Sequence, residues 1–256
     1  DGYISTLEIP GYPHASTVWS AGEVVSTVSD LMTFASALFD GKLVSKETLA
    51  VMAQPLGTDV DSGRTWGLGG ATLEMGSFRG FGMGGDIPGY HGFFVGVLDT
   101  KLVVTALVNT QEGDVIMPSI SALEYISQSL SGAPDEAGAA REIQAPDYQK
   151  IIDEVLQDDR PGIALRVITP KFEISETRGY ADWENKIPLK EDHLFRIASC
   201  TKTFIATLTL MMHFEGVEDP AGMIEHLANG YLVGIFNAVG NRFRQIPGNR
   251  IIQVQS

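Results

Sequence analysis

The spacing of apolar residues changes texture along the chain, and each change predicts a different element. Between Thr27 and Gly41, the residues Leu31, Phe34, Ala35 and Leu38 recur at helical intervals and so share one stripe of an α-helix. Thr27-Val28-Ser29-Asp30 ahead of them has capping-box form, and Gly41 stops the run. Ser45 is placed to cap a second helix through Met52, with Val44 packing back onto Leu49. From 67 to 110 the pattern is of β type, in four runs: Gly67–Leu73, Phe78–Met83, His91–Leu98 and Leu102–Asn109. Asp99-Thr100-Lys101 between the last two predicts an antiparallel hairpin. A helix is expected over Ile116–Leu130, a short amphipathic one over Tyr148–Leu156, and a second hairpin, Ile163–Ile168 with Phe172–Gly179, around Pro170-Lys171. The apolar segment Phe204 to Phe214 has core-helix length, and Asp219-Pro220 is expected to end it.

Residues 1–25 are turn-rich and read as an ordered loop. Residues 131–147 are small, polar and proline-flanked, which is linker composition. Residues 221–244 look helical with glycine interruptions. Two hairpins with helices before, between and after predict an α+β fold, an antiparallel sheet flanked by helices. At 256 residues this is one compact unit or two closely packed ones.

Composition narrows the chemistry. The net charge is −14 with acid spread along the chain, which argues against phosphate-backbone binding and hence against nucleic acid as a partner. The single cysteine, Cys200, excludes an internal disulfide and any multi-cysteine zinc or iron–sulfur site. His14, His91, His193, His213 and His226 show no metal-ligand spacing, so neither a metal nor a cofactor is expected. No signal-peptide pattern opens the chain and no stretch of 18 apolar residues occurs, so a soluble protein is expected, with its compartment open.

One spacing carries candidate chemistry. Ser199 is the chain's sole serine followed three residues later by a lysine, Lys202. Residues three apart on a helix share a face, so hydroxyl and amine can meet, and a serine needs such a proton acceptor to become a nucleophile. An ordinary lysine is almost wholly protonated at neutral pH, so a base at this position requires desolvation, which Phe204, Ile205 and Leu208 could provide. The start of a helix would also place the Ser199 N–H in a field that favours a developing oxyanion. Taken alone, the spacing fits a helix cap beside a solvated lysine better than a catalytic pair.

The residues around this pair resemble the penicillin-recognising serine hydrolases: class C β-lactamases, D-alanyl-D-alanine carboxypeptidases, D-amino-acid amidases and related esterases. Asp192-His193-Leu194-Phe195-Arg196-Ile197-Ala198-Ser199-Cys200-Thr201-Lys202, with Gly179-Tyr180-Ala181-Asp182 and Ile187-Pro188-Leu189 before it, is most similar to the D-amino-acid amidase and D-peptidase branch. Ser20 to Leu31 is similar to the family's late helix start. Gly82-Met83-Gly84-Gly85-Asp86-Ile87-Pro88-Gly89-Tyr90 sits where the family has its K-T-G or H-x-G strand. The resemblance implies a β-lactamase/transpeptidase-like fold with Ser199 as nucleophile and Lys202 as base or proton relay. It further implies the backbone N–H of Asp86 as second oxyanion donor, with Gly84 and Gly85 letting an acyl group lie close to the strand. Cys200, beside the nucleophile but turned about a hundred degrees from it on a helix, is expected to be buried and inert, and His193 and Arg196 to stabilise the fold.

The order in which these blocks resemble the family implies a circular permutation. Residues 1–130 resemble its C-terminal half and 148–220 its N-terminal half, with 131–147 joining the old termini and 221–256 a remnant of a reduced helical domain. Domain termini often lie close together on the surface, which makes such a closure feasible and predicts that the two hairpins pair into one sheet. Two further departures bear on activity. The family's Tyr-x-Asn triad has no counterpart here; Tyr231 and Asn229 are the nearest substitutes, in reversed order, and also fit a packing tyrosine beside a turn asparagine. Tyr90 and His91 flank the third motif and could reach a site, although His91 also fits a strand residue with a local hydrogen bond. The third motif's charged residue is replaced by Met83, which cannot donate a proton. The implied function is serine acyl hydrolysis of an amide, D-peptide, β-lactam or ester, with a small molecule or short peptide as partner. The alternative is an impaired relative acting as a binding scaffold, or a rearranged fragment. An apolar face uncovered by the reduced helical domain would favour self-association.

Overall fold

The computed structural model describes residues 21–58, 65–75, 78–98, 100–110, 162–171 and 173–217. The expectations for residues 1–20, 116–130, 131–147, 148–156 and 221–244, including Tyr231 and Asn229, lie outside the described residues.

Helix α1 (Val28–Phe39) starts where the Thr27 side chain accepts a hydrogen bond from the Asp30 N–H at 3.0 Å. It stops at Gly41, whose φ of 75° lets the Lys42 N–H turn back to the Ala37 carbonyl at 2.9 Å. Helix α2 (Lys46–Met52) is capped by the Ser45 hydroxyl, which accepts from the Thr48 N–H at 3.2 Å, and Val44 and Leu49 are both buried. These two helices match the pattern of apolar positions because their ends are encoded locally.

Eight strands form one antiparallel sheet in chain order: β2 (Gly57–Thr58), β3 (Thr65–Trp66), β4 (Ala71–Met75), β5 (Phe78–Ile87), β6 (Tyr90–Val97), β7 (Val103–Val108), β8 (Ile163–Ile168) and β9 (Glu173–Arg178). The two expected hairpins, β6–β7 and β8–β9, join in this sheet through the pairs Val103↔Ile168 to Val108↔Ile163. The central strand β7 is buried at every position, whereas β9, at the sheet edge, alternates exposed and half-buried residues and carries charge. Two small sheets lie apart: β1 (Val25–Ser26) with β12 (Phe195–Arg196), and β10 (Tyr180–Asp182) with β11 (Ile187–Pro188). These two-residue pairings were beyond the reach of periodicity.

Helix α1 packs on one face of the sheet, over β6, β7 and β8, and helix α3 (Thr201–Phe214) packs against α1. Phe34 of α1 links the layers: its ring stacks on Phe204 of α3 at 3.6 Å and meets Phe94 of β6 edge-on at 5.9 Å.

Three boundaries differ from expectation. The run Gly67–Leu73 is a strand only from Ala71, because residues 67–70 close a tight loop. Gly69 in that loop has φ 75° and lies against Ala206, and its carbonyl accepts the Thr203 hydroxyl at 2.5 Å, so the loop follows α3 and not the sheet. The run Phe78–Met83 continues to Ile87, which places the whole glycine-rich motif inside a strand. Helix α3 ends at Phe214, before Asp219-Pro220. Gly216 at φ 82° closes it, with the Val217 N–H bonded to the Met212 carbonyl at 3.1 Å. No described helix is long and apolar enough to cross a membrane.

Candidate functional site

Ser199 lies in a one-turn 3₁₀ segment, Ala198–Cys200, that runs directly into α3. This differs from a single α-helix carrying both residues. Neither helical segment has a side-chain cap, so the serine hydroxyl is not spent on the backbone. Instead Lys202 Nζ donates to Ser199 Oγ at 2.7 Å and to the Ala21 carbonyl at 3.0 Å. The second bond holds the lysine head group from the opposite side and narrows the range of positions open to its long stem.

The segment before α1 is tied to the 3₁₀ turn along its length. β1 pairs with β12 through Val25↔Arg196, the Ile197 N–H donates to the Val24 carbonyl at 3.0 Å, and the Val24 N–H donates to Thr201 Oγ1 at 3.2 Å. Ala21 is therefore brought to Lys202 by pairing across some 170 residues of chain. The sequence held no signal for this contact beyond the resemblance of the surrounding block.

Strand β5 passes directly beneath the 3₁₀ turn. A Cβ built on Gly85 would sit 2.6 Å from Ser199 N and 3.0 Å from Cys200 N, so any side chain there would fill the space under the serine amide. Gly92, the cross-strand partner of Gly85, faces Ile197 in the same way. The Leu98 N–H donates to the Arg79 carbonyl at 2.9 Å, and from that bond the antiparallel alternation runs along an unbroken register. It directs Gly85 at Gly92 and turns the N–H of Asp86 away from β6. On that outer side β4 pairs only as far as Gly82, so among the described residues the β5 edge from Met83 to Ile87 is open. Gly84 lies in this open stretch.

Met83, on the same face as Gly85, is buried in the core, and its carbonyl accepts the Cys200 thiol at 3.3 Å. Burial pushes the Cys200 thiol pKa well up, opposed to a smaller extent by Lys202, which leaves it an inert packing group as its position suggested. Lys202 counts as exposed over the whole residue. Desolvation around its amine nonetheless lowers its pKa from the ordinary lysine value, with the neighbouring Cys200 thiol acting in the opposite direction. His193 Nδ1 accepts the Lys190 N–H at 2.9 Å, a local turn contact. Arg196 anchors β12 and lies close enough to Tyr90 for charge to matter between them. His91 Nδ1 bonds to Asp86 Oδ1 at 2.5 Å.

Ser199, Lys202, Gly84, Gly85 and Asp86 thus meet around one open strand edge. Tyr231 and Asn229 lie outside the described residues. Neither tyrosine among the described residues, Tyr90 nor Tyr180, hydrogen-bonds to Ser199 Oγ; Tyr90 is buried, with its edge toward Phe195. Among the described residues no three His, Cys, Asp or Glu side chains converge as a metal-holding group.

Ala198 has φ 45°, in the left-handed region that costs a residue with a Cβ about 1–2 kcal/mol. It immediately precedes the serine, a common location for stored backbone strain. Ala198→Gly is expected to relieve that strain, offset in part by the greater freedom of glycine in the unfolded chain, for a net stabilisation of about 0.5–1 kcal/mol. Thermal unfolding would show a melting temperature raised by a few degrees; a lower one would mean that the alanine methyl contributes more through packing than it costs in strain.

A mostly antiparallel sheet with few helices, and a serine–lysine pair beside its glycine-rich strand, define a β-lactamase-like fold. The family model described as Beta-lactamase matches residues 3–124 and 147–232, which is most of the chain. The chain belongs to the Beta-lactamase family. Membership points to serine acyl hydrolysis as the general chemistry. No solved structure matches the chain.

Proposed function

We propose that this protein is a serine acyl hydrolase working through an acyl-enzyme at Ser199. The observation that carries the reading is the 2.7 Å bond between Lys202 Nζ and Ser199 Oγ, directly above Gly85. In its neutral form Lys202 takes the hydroxyl proton as Oγ attacks the substrate carbonyl carbon. The tetrahedral oxyanion is received by the N–H groups of Ser199 and Asp86, the latter turned toward the open edge of β5. The ammonium of Lys202 then returns the proton to the leaving group as the C–N or C–O bond breaks. Water, deprotonated by the same amine, hydrolyses the acyl-enzyme. The acyl donor is an amide, D-peptide, β-lactam or ester, with the D-amino-acid amidase and D-peptidase type favoured by the residues before Ser199.

The reading includes a circularly permuted order with a reduced helical domain. It is supported by the family match, which falls in two stretches on either side of the linker-like residues, and by the direct pairing of β7 with β8 from the two sides of that linker.

An activated ester or a fluorescent penicillin should add one acyl mass to the intact protein, on Ser199, and Ser199→Ala should remove both label and hydrolysis. Absence of any adduct, or hydrolysis unchanged in Ser199→Ala, would overturn the assignment. A second reading, an impaired relative, is favoured by the lack of a tyrosine on Ser199 Oγ among the described residues. It predicts a burst of one equivalent with no steady-state turnover, which separates it from a working hydrolase.

A further inference from the structure

The side chain of Asp86 carries chemistry independent of its N–H. It lies one residue from Gly85, hence within about 4 Å along the backbone of the residue that touches the serine amide. It projects from the opposite face of the same open edge, so a substrate laid along that edge past the oxyanion position runs beside it. The carboxylate is 56% exposed, and His91 donates from Nδ1 to Oδ1 at 2.5 Å. Among the described residues Oδ2 has no hydrogen-bond partner, which leaves it open to a ligand. The His91 ring is mostly buried, and its Nε2 has no hydrogen-bond partner among the described residues. The Nδ1 bond fixes where the carboxylate holds its charge. That charge is felt at the thiol of Cys200, the residue next to Ser199.

The cations nearby do not offset it for a ligand. Lys202 is engaged by Ser199 Oγ and the Ala21 carbonyl. Among the described residues Nε and Nη2 of Arg196 are buried and without hydrogen-bond partners. The chain as a whole carries a net charge of −14, a negative background.

We propose that the Asp86 carboxylate, held by His91, selects acyl substrates carrying an ammonium group over those carrying a carboxylate. Asp86 is a specificity-determining residue and His91 its positioning residue. The substrate class is then an amide or ester with a free amine, such as an amino-acid amide. A donor that ends in a carboxylate meets like charge at the strand edge. The proposal rests on Ser199 being the acylated residue, and its test is made separable from that by using equilibrium binding.

Three amides matched in size, bearing an ammonium, a neutral or a carboxylate group, would be titrated calorimetrically into Ser199→Ala, which cannot be acylated. The ammonium ligand is expected to bind about tenfold tighter than the carboxylate one, the sum of one modest attraction and one modest repulsion at a half-exposed site. Adding Asp86→Asn should bring the ratio near one, and 0.5 M salt should shrink it. His91→Gln, which can still donate a hydrogen bond, should retain most of the ratio, whereas His91→Ala should lose part of it. Equal affinities, no measurable binding, or a ratio that survives Asp86→Asn would each overturn the proposal. So would tighter binding of the carboxylate ligand, which would direct attention to Arg196. Acylation of Ser199 is read separately by intact mass, so failure of the hydrolase assignment shows there and not in the charge ratio.

Discussion

Gly85→Ala is expected to lower acylation by at least about a hundredfold, the size of effect seen when an oxyanion donor is lost. The added methyl carbon would sit 2.6 Å from Ser199 N and closer still to the Ile197 carbonyl. Both are backbone atoms with no rotamer to yield, so β5 and the 3₁₀ turn must separate. Separation moves the Ser199 N–H away from any carbonyl held against the strand. The same overpacking should cost about 1–3 kcal/mol of stability, readable as a shifted urea midpoint. Gly57→Ala is the matched control: nothing lies within 4 Å of its added methyl, and it should change both quantities little. Wild-type acylation in Gly85→Ala would show that the strand does not back the reacting carbonyl.

Lys202→Met should lower acylation by about 10²- to 10⁴-fold, the usual contribution of a positioned acid–base group, while leaving the fold intact at this partly exposed position. Lys202→Arg should not rescue it, because a guanidinium keeps its protons at any working pH. The pH profile gives the sharper test. The active form is the neutral amine, so acylation should rise with pH through the pKa of Lys202. That rise should be centred below the ordinary lysine value because desolvation lowers it. Both variants should lose this limb. A rise centred at or above the ordinary lysine value, or one that persists in Lys202→Met, would assign the base to another group.

Much of the fold was legible because its signals are local. Thr27, Gly41 and Ser45 set the ends of α1 and α2 through bonds to neighbours within four or five residues, and the β6–β7 and β8–β9 hairpins pair strands that are adjacent in sequence. The errors occurred where a distant element outweighed local pattern. Gly67–Leu73 reads as strand, yet Thr203 and Ala206 of α3 hold its first half in a loop. By pattern alone, residues such as Gly84 and Gly85 fit a turn or bulge. They lie in a strand because residues 80–87 are paired to β6 and the strand is pressed under the 3₁₀ segment.

The sequence by itself determined the elements, the serine–lysine spacing and the family, since all three rest on residues near one another in the chain or on blocks of characteristic order. Only the tertiary structure decided where the lysine amine is held. It brings Ala21 across the chain to hold Nζ, sets Gly85 under the serine amide, turns the Asp86 N–H to an edge unpaired among the described residues, and places His91 on the Asp86 carboxylate. The physical reason is that a pKa, an oxyanion contact and a charge preference depend on distances of a few ångströms between groups far apart in sequence, and no spacing along the chain encodes them.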